Sequence, residues 1–481
     1  MTTAGGSVTT LYGTAATEKR QRVAIRSGDV PVAVYGLGKM GLPLAAVYAE
    51  VTGNVIGVDV DPSVVQEVNA GECHITGEPG LPELVARQVS EGRLRATAEG
   101  QSAAVDASVH VVIVPTLLSD GEPDLSTVEA VTRDVATGLA PGDLVVVEST
   151  MPPGTCHEVV LPTLEEESGL ERGEFGLAFC PERTASGRAL QDIRGAYPKV
   201  VGGIDDESTR AAAVLYDELT HNDVHLVSDA TTAEAVKVFE GIYRDVNIAL
   251  ANELARMADD LSISIREAIA TANESPFCDI HDPGPGVGGH CIPYYPYFLF
   301  ARTDEQLTLT RTSRRINEEM PAYTVAILAD ELADAGVDLE DASVLVLGLT
   351  YRPGVEETRA SPALEVVDRL HEFGADVAAT DPIVDPATYD ARPVEVDDVA
   401  DETFDAVVLV TPHEEFEAID WTAMEPTVVL DGRDALELED TNHRVRTLGG
   451  SRGNRPVVLE DEGRTERRAS LGRTDGGERG D

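Results

Sequence analysis

The sequence predicts an α/β protein in which two doubly wound, parallel-sheet units flank a helical segment, and three observations predict it. Short runs rich in branched apolar residues alternate with helical stretches in the N-terminal half, giving expected strands at 32–35, 55–59, 110–114, 144–148, 176–179 and 200–202. Apolar positions then hold helical spacing through Ala235, Val238, Ile242, Val246, Ala249, Leu254 and Met257, interrupted only by Gly241. The alternation resumes with expected strands at 344–348, 376–379, 406–410 and 427–431 and an intervening helix at 361–373.

These textures divide the chain into a disordered N-terminal extension (1–28), a first α/β domain (29–228), a helical central domain (229–335), a second α/β domain (336–450) and a disordered charged tail (451–481). The long helix is expected to open at Thr231, with Glu234 completing a capping box. Its length suits a helix that spans domains or forms a subunit interface.

The 481 residues carry 86 Asp plus Glu against 37 Lys plus Arg, a formal net charge of −49, and only four of the cations are lysines. Such a surface repels nucleic acid and anionic membrane. Hydrophobic content of 42% and the regular apolar runs argue for a folded chain rather than a disordered acidic one. Multimolar salt would screen the self-repulsion, because the Debye length falls to about 3 Å at 1 M; a salt-rich cytoplasm is the expected setting. Cys73, Cys156, Cys180, Cys278 and Cys291 lack the paired spacing of zinc sites, so no metal site is expected, and their odd number suits a reduced compartment. No signal-peptide core and no apolar run of membrane-spanning length is present, so no membrane insertion is expected.

The first expected strand runs into Gly36-Leu-Gly38-Lys39-Met40-Gly41 and then a helix. Gly36 permits the tight turn, Gly38 lets a pyrophosphate approach the backbone, and Gly41 permits close packing, while the helix N-terminus offers N–H donors to phosphate. Asp59 closes the second strand at the spacing where a carboxylate holds the ribose hydroxyls and repels a 2′-phosphate, which favours NAD over NADP. Further strand ends carry Thr116, Thr150, Glu182 and Arg183, where an open parallel sheet places its ligands. Thr150 fits a helix N-cap equally well.

Residues 284–296 read GPGVGGHCIPYYP and present His290 and Cys291 after Gly284, Gly286, Gly288 and Gly289. Glycines in such a run allow positive φ and close approach to a ligand, leaving the Cys291 thiol as a candidate nucleophile. On the long helix Lys237 precedes Arg244, Asp245, Asn247 and Asn252; a solvated face would explain Lys237 taken singly. The second α/β domain opens with Arg352, Arg359, Ser361 and Pro362 between strand and helix, a loop suited to an anion, although arginines paired to surplus acids fit the same pattern.

Together these segments resemble the UDP-glucose/UDP-N-acetylmannosamine dehydrogenase family over residues 30–450, and the His-Cys form of the loop is most similar to the branch acting on UDP-N-acetylmannosamine. The resemblance implies an N-terminal Rossmann NAD-binding domain, a central all-α domain whose long helix makes a homodimer, and a C-terminal Rossmann-like UDP-binding domain. It implies a cytoplasmic enzyme that oxidises the C6 alcohol of a UDP-sugar to a uronate with two NAD, through a Cys291 thiohemiacetal and thioester, for surface glycan synthesis. By matching positions Cys291 is the nucleophile, Lys237 stabilises oxyanions and Glu182 serves as general base or positions water in hydrolysis. Gly36, Gly38, Lys39, Met40, Gly41, Asp59, Thr116 and Thr150 would hold NAD. Arg183, Gly286, Gly288, Gly289, His290, Arg352 and Arg433 would hold the substrate.

Two positions depart from the pattern: Gly241 stands where many members carry asparagine, and Tyr295 where they commonly carry aspartate. A phenol with an ordinary pKa near 10 is no substitute for a carboxylate base. Two other readings compete, a single-oxidation dehydrogenase of the hydroxyacid type and a nucleotide-sugar-binding protein without catalysis. The first has no use for the cysteine loop, and the second would not need the thiol, lysine and glutamate together.

Overall fold

The computed structural model describes residues 9–451 except 439–440. In chain order its N-terminal strands are β1 (Val32–Tyr35), β2 (Val55–Val58), β3 (Leu94–Thr97), β4 (Val109–Val112), the hairpin β5 (Leu117–Ser119) and β6 (Glu122–Asp124), β7 (Leu144–Val147), β8 (Gly176–Phe179), β9 (Lys199–Gly203) and β10 (Val224–Leu226). All but the hairpin form one eight-stranded sheet ordered β10-β9-β8-β7-β4-β1-β2-β3. Val32 registers with Val55 on one side and Val109 on the other, so chain direction diverges between β1 and β4 and opens a crevice at their C-terminal ends. Apolar cores cover both faces, which is why the inner strands are continuous hydrophobic runs. The sheet is not wholly parallel as expected, because β9 runs antiparallel to β8.

The C-terminal strands are β11 (Ser343–Leu347), β12 (Asp376–Thr380), β13 (Arg392–Pro393), β14 (Ala406–Leu409), β15 (Val428–Asp431) and β16 (Arg444–Thr447), in a parallel sheet ordered β13-β12-β11-β14-β15-β16. Its crevice lies between β11 and β14. Val325, Leu328 and Leu332 of the helix Met320–Asp334 belong to this sheet's core.

Between the sheets the helix Ala230–Ala255 runs beside Thr308–Glu318. Its embedded polar residues serve structure. Asp245 pairs with Arg314 at 2.5 Å and accepts from Asn317, whose side chain in turn accepts from Asn252 at 2.9 Å. Asn252 also accepts the Gly284 N–H at 2.9 Å, and Asn247 accepts the His281 N–H at 2.8 Å, so the helix grips the segment leading into the cysteine loop.

Two further expectations are corrected. The extension expected to be disordered forms a helix over Glu18–Ser27, with Leu11, Tyr12 and Ile25 buried and Arg22 paired to Asp217 and Glu218. That helix has few apolar residues and is held partly by ion pairs, so hydrophobic periodicity does not reveal it. Residues 1–8 and the expected tail from 452 lie outside the described residues. The long helix is capped by Asp229, which accepts the Thr232 N–H at 2.7 Å, and not by a Thr231–Glu234 box.

Glu234 is instead buried, accepting the N–H groups of Gly154 and Cys156. Glu234→Ala leaves both donors unmet; at about 1–3 kcal/mol for each unmet buried donor, denaturant titration should read a loss of about 2–6 kcal/mol. Burial pushes this carboxyl up to about 7. The folded state therefore binds its proton more tightly than the unfolded one, and the resulting stability is lost as pH rises through 7. Glu234→Gln should consequently gain on the wild type between about pH 5 and pH 8.

Candidate active site

The glycine loop after β1 is built as its spacing predicts. Gly36 has φ +97°, and a Cβ there would lie 2.4 Å from the Ile113 carbonyl oxygen; one on Gly41 would lie 1.9 Å from the Gly36 oxygen. Gly38 has nothing within 4 Å, so this is the open side from which a pyrophosphate can reach the backbone. Asp59 accepts the Leu37 N–H at 2.8 Å and the Asp61 N–H at 3.0 Å. A carboxylate offers about four acceptor sites, so ribose hydroxyls can still be accommodated, and the residues present fit a dinucleotide.

Lys39 and Met40, expected beside the cofactor, are engaged with protein. The Lys39 ammonium donates to the Glu356 carbonyl at 2.8 Å, bridging to the C-terminal domain, and the Met40 sulfur accepts from the Thr184 hydroxyl. Beyond β4 and β7, the Thr116 hydroxyl donates to the Thr150 carbonyl at 2.5 Å and Ser149 bonds the Val114 backbone, so these two strand ends are tied together.

The cysteine loop differs from expectation in why it is rich in glycine. Only Gly286 and Gly289 have positive φ, +151° and +84°. The space left by the missing side chains is taken by protein: a Cβ would meet Arg433 at 2.3 Å from Gly284, Pro362 at 2.8 Å from Gly286, and Tyr351 at 2.7 Å from Gly288 and 3.0 Å from Gly289. The glycines thus dock the loop onto the second crevice rather than clear room for a ligand. Arg433, expected to reach the sugar, lies under Gly284 with its Nε–H donating to the Val410 carbonyl at 2.9 Å. Burial, and then the like charge of Arg266, pushes it down to about 10.

At the end of this loop Cys291 is exposed. It faces Lys237, which burial pushes below the ordinary lysine range while Cys291 and Glu182 oppose the shift. Glu182 stands on the loop after β8. Burial pushes its carboxyl up, but Lys199 and Lys237 more than reverse this and leave it below the ordinary glutamate range, ionised at neutral pH. Arg183 is tied to Glu240 of the long helix at 3.0 Å. His290 is pushed down by burial and by Arg359, with Lys39 and Lys237 adding to the effect. Lys237 is therefore the cation placed against this thiol of a strongly acidic chain.

Sequence reasoning missed the support for Glu182. Lys199, at the start of β9, lies 3.6 Å from Glu182 and 2.6 Å from Glu148, and Tyr216 also bonds Glu148. Burial pushes Lys199 down, but Glu148 and Glu182 outweigh it and keep the ammonium charged. Enclosure pushes Glu148 up to about 7. An acidic residue ending an apolar strand, and a lysine in an arginine-using chain, were the available signals. Asp381 was missed likewise. Burial pushes it up, yet His413 and four backbone N–H groups, including those of Leu349 and Thr350, hold it at about 2 and fix the loop carrying Arg352 and Arg359. Both arginines are exposed beside the N-terminus of the helix Pro362–Glu372, capped by Ser361.

Comparison with known proteins agrees with this geometry. Three family models of the UDP-glucose/GDP-mannose dehydrogenase family match: the NAD binding domain over residues 30–220, the central domain over 231–319 and the UDP binding domain over 345–438. The chain is 37% identical to UDP-N-acetyl-D-mannosamine dehydrogenase of Pyrococcus horikoshii, covering 87% of this chain and 99% of that protein. It is 35% identical to NDP-N-acetyl-D-galactosaminuronic acid dehydrogenase of Ralstonia solanacearum, covering 84% and 95%. The solved structure of the Pyrococcus horikoshii UDP-D-ManNAc dehydrogenase superposes with TM-score 0.82 at 36% identity, over 87% of this chain and 99% of that one. With NAD binding, central and UDP binding domains matched in order along one chain, the chain belongs to the UDP-glucose/GDP-mannose dehydrogenase family as an NAD-dependent nucleotide-sugar dehydrogenase.

Proposed function

We propose that the chain oxidises the C6 hydroxymethyl group of a UDP-sugar to the uronate through Cys291, with UDP-N-acetyl-D-mannosamine favoured over UDP-glucose as substrate. The observation that carries the chemistry is that one cation, Lys237, faces both the Cys291 thiol and the ionised Glu182. The names of the Pyrococcus horikoshii relative and of others like it support the choice of sugar.

Bound NAD would accept a hydride in each of the two oxidations. Lys237 favours the Cys291 thiolate and then the oxyanion that forms when sulfur bonds to the aldehyde carbon and the carbonyl pair moves to oxygen. After the second oxidation the intermediate is a thioester. Glu182 takes a proton from water, the water oxygen bonds to the acyl carbon, and the C–S bond breaks to return the thiolate. Thr150 would border the nicotinamide, and Arg352, with Arg359 and the helix N-terminus at Pro362, would hold the UDP end.

Two further readings accompany this one. The long helix exposes Phe239, Tyr243 and Leu250 along a single stripe, with Met257 just beyond its end, which supports a homodimer formed through a second copy of the same helix. The net charge of −49 and the five unpaired cysteines support a salt-rich, reducing cytoplasm as the setting, with the uronate supplied to surface glycans.

A UDP-sugar panel in multimolar KCl tests the reaction. UDP-N-acetyl-D-mannosamine should release two NADH per sugar and yield the uronate; one NADH per sugar would reject the reading. Glu182→Gln should slow hydrolysis of the trapped thioester in single turnover, and a wild-type rate there would exclude Glu182 as the base. Because the Glu182 carboxyl is depressed, its base form persists down through the ordinary glutamate range, and Lys199→Met should move the acid limb of the pH profile upward. Leu250→Glu should halve the mass seen by light scattering at high salt.

A further inference from the structure

Gly241 and Tyr295 have no part in the mechanism above, and the fold brings them into contact. Gly241 is buried on the long helix one turn after Lys237. A Cβ there would lie 2.1 Å from Cδ2 of the Tyr295 ring and 3.0 Å from Cγ and Cε2, so the ring occupies the space that any side chain would need. Tyr295 opens the helix Tyr295–Phe300, one turn after Cys291, whose carbonyl accepts the Tyr295 N–H at 3.1 Å. The ring is buried against Val238 and Phe298. At its far end the hydroxyl lies 3.3 Å from the Thr150 hydroxyl and faces the Cys291 thiol.

We propose that Tyr295 is a catalytic residue whose neutral phenol donates a hydrogen bond to the Cys291 sulfur, both as attacking thiolate and as the thiolate leaving the thioester, and that Gly241 is the seat for its ring. The proposal rests on Cys291 being the nucleophile. The phenol is suited to donate and not to act as a base: burial, and then Cys291, holds its proton well above the ordinary tyrosine range. No proton moves. When sulfur is ionised the O–H···S⁻ bond is charge-assisted, and the Thr150 hydroxyl can donate to the phenol oxygen in turn. A carboxylate in the same place would oppose the thiolate, whereas a donor favours it. The other groups facing this point are Lys237 and Glu240 from the long helix and Tyr351 from the C-terminal domain.

Alkylation of Cys291 by iodoacetamide, followed across pH by mass spectrometry of its peptide at high salt, tests this without turnover. Tyr295→Phe keeps the ring and removes only the donor. The thiol midpoint should rise by about one unit, with alkylation near neutral pH about 5–10-fold slower and the two proteins converging at high pH. Steady-state kcat should fall with KM little changed. Gly241→Ala, which forces the ring away, should give the same midpoint shift. An unchanged midpoint in Tyr295→Phe overturns the proposal and assigns the ring to packing. Turnover to uronate by Cys291→Ala would overturn the nucleophile reading beneath it, an outcome separate from the midpoint.

Discussion

The structure turns on the seating of residues 284–291, because this segment, half of it glycine, is held between the long helix and the C-terminal domain. Its first N–H is held by Asn252 of the long helix, its glycines receive Arg433, Pro362 and Tyr351 from the C-terminal domain, and its last residue presents a thiol to Lys237 and Glu182. A methyl group at Gly284, Gly286 or Gly288 would press on a side chain that is itself part of the second crevice. The loop therefore works as a gasket between domains, and the thiol's position is set by how the C-terminal domain packs on the central helix.

That placement links the two crevices. The glycine loop after β1 reaches the C-terminal domain through Lys39 and the Glu356 carbonyl, so the wall of one nucleotide site is bonded to the loop that carries Arg352 and Arg359 in the other. Asp381 makes that loop stiff by accepting the N–H groups of Leu349 and Thr350. Reactant geometry to within a fraction of an ångström is what proximity catalysis demands, and here it comes from backbone bonds and missing methyl groups rather than from a large apolar interface.

Much of this was legible in the sequence, and the misses share a cause. The inner strands, the glycine turn with Asp59, the long helix and the cysteine loop follow from periodicity and from residues whose chemistry fits few other places. The edge strands β3 and β16 do not, because a strand with one open face needs few apolar residues and shows little pattern. Glu234 matched a capping box by spacing, but burial gave its carboxylate to Gly154 and Cys156, a contact that only tertiary structure reveals. The same limit hid Lys199 and Glu148. Glu182 was visible as a costly carboxylate, while the ammonium that makes it affordable stands 17 residues further on, at the start of a strand. Reading the glycines of 284–289 as room for a ligand was a natural inference from composition, and the fold puts protein in that room.

The distribution of lysine carries the electrostatic argument one step further. The chain has four, and Lys39, Lys199 and Lys237 all belong to the site. Arginine, planar and weakly hydrated, serves the surface pairs and the buried structural contacts such as Arg314 with Asp245. An ammonium is a compact charge whose proton affinity responds to its surroundings, and that response is what a reacting site needs. Lys199, facing two carboxylates, is held charged and keeps Glu182 ionised. Lys237, half-buried and facing a thiol, is pushed the other way. A guanidinium in either place would keep its charge regardless of its neighbours and spread it over a plane. With the rest of the surface so acidic, these lysines also mark where an anionic nucleotide meets attraction rather than repulsion, and salt that screens exposed charges acts less on Lys199 and Lys237, which are partly enclosed.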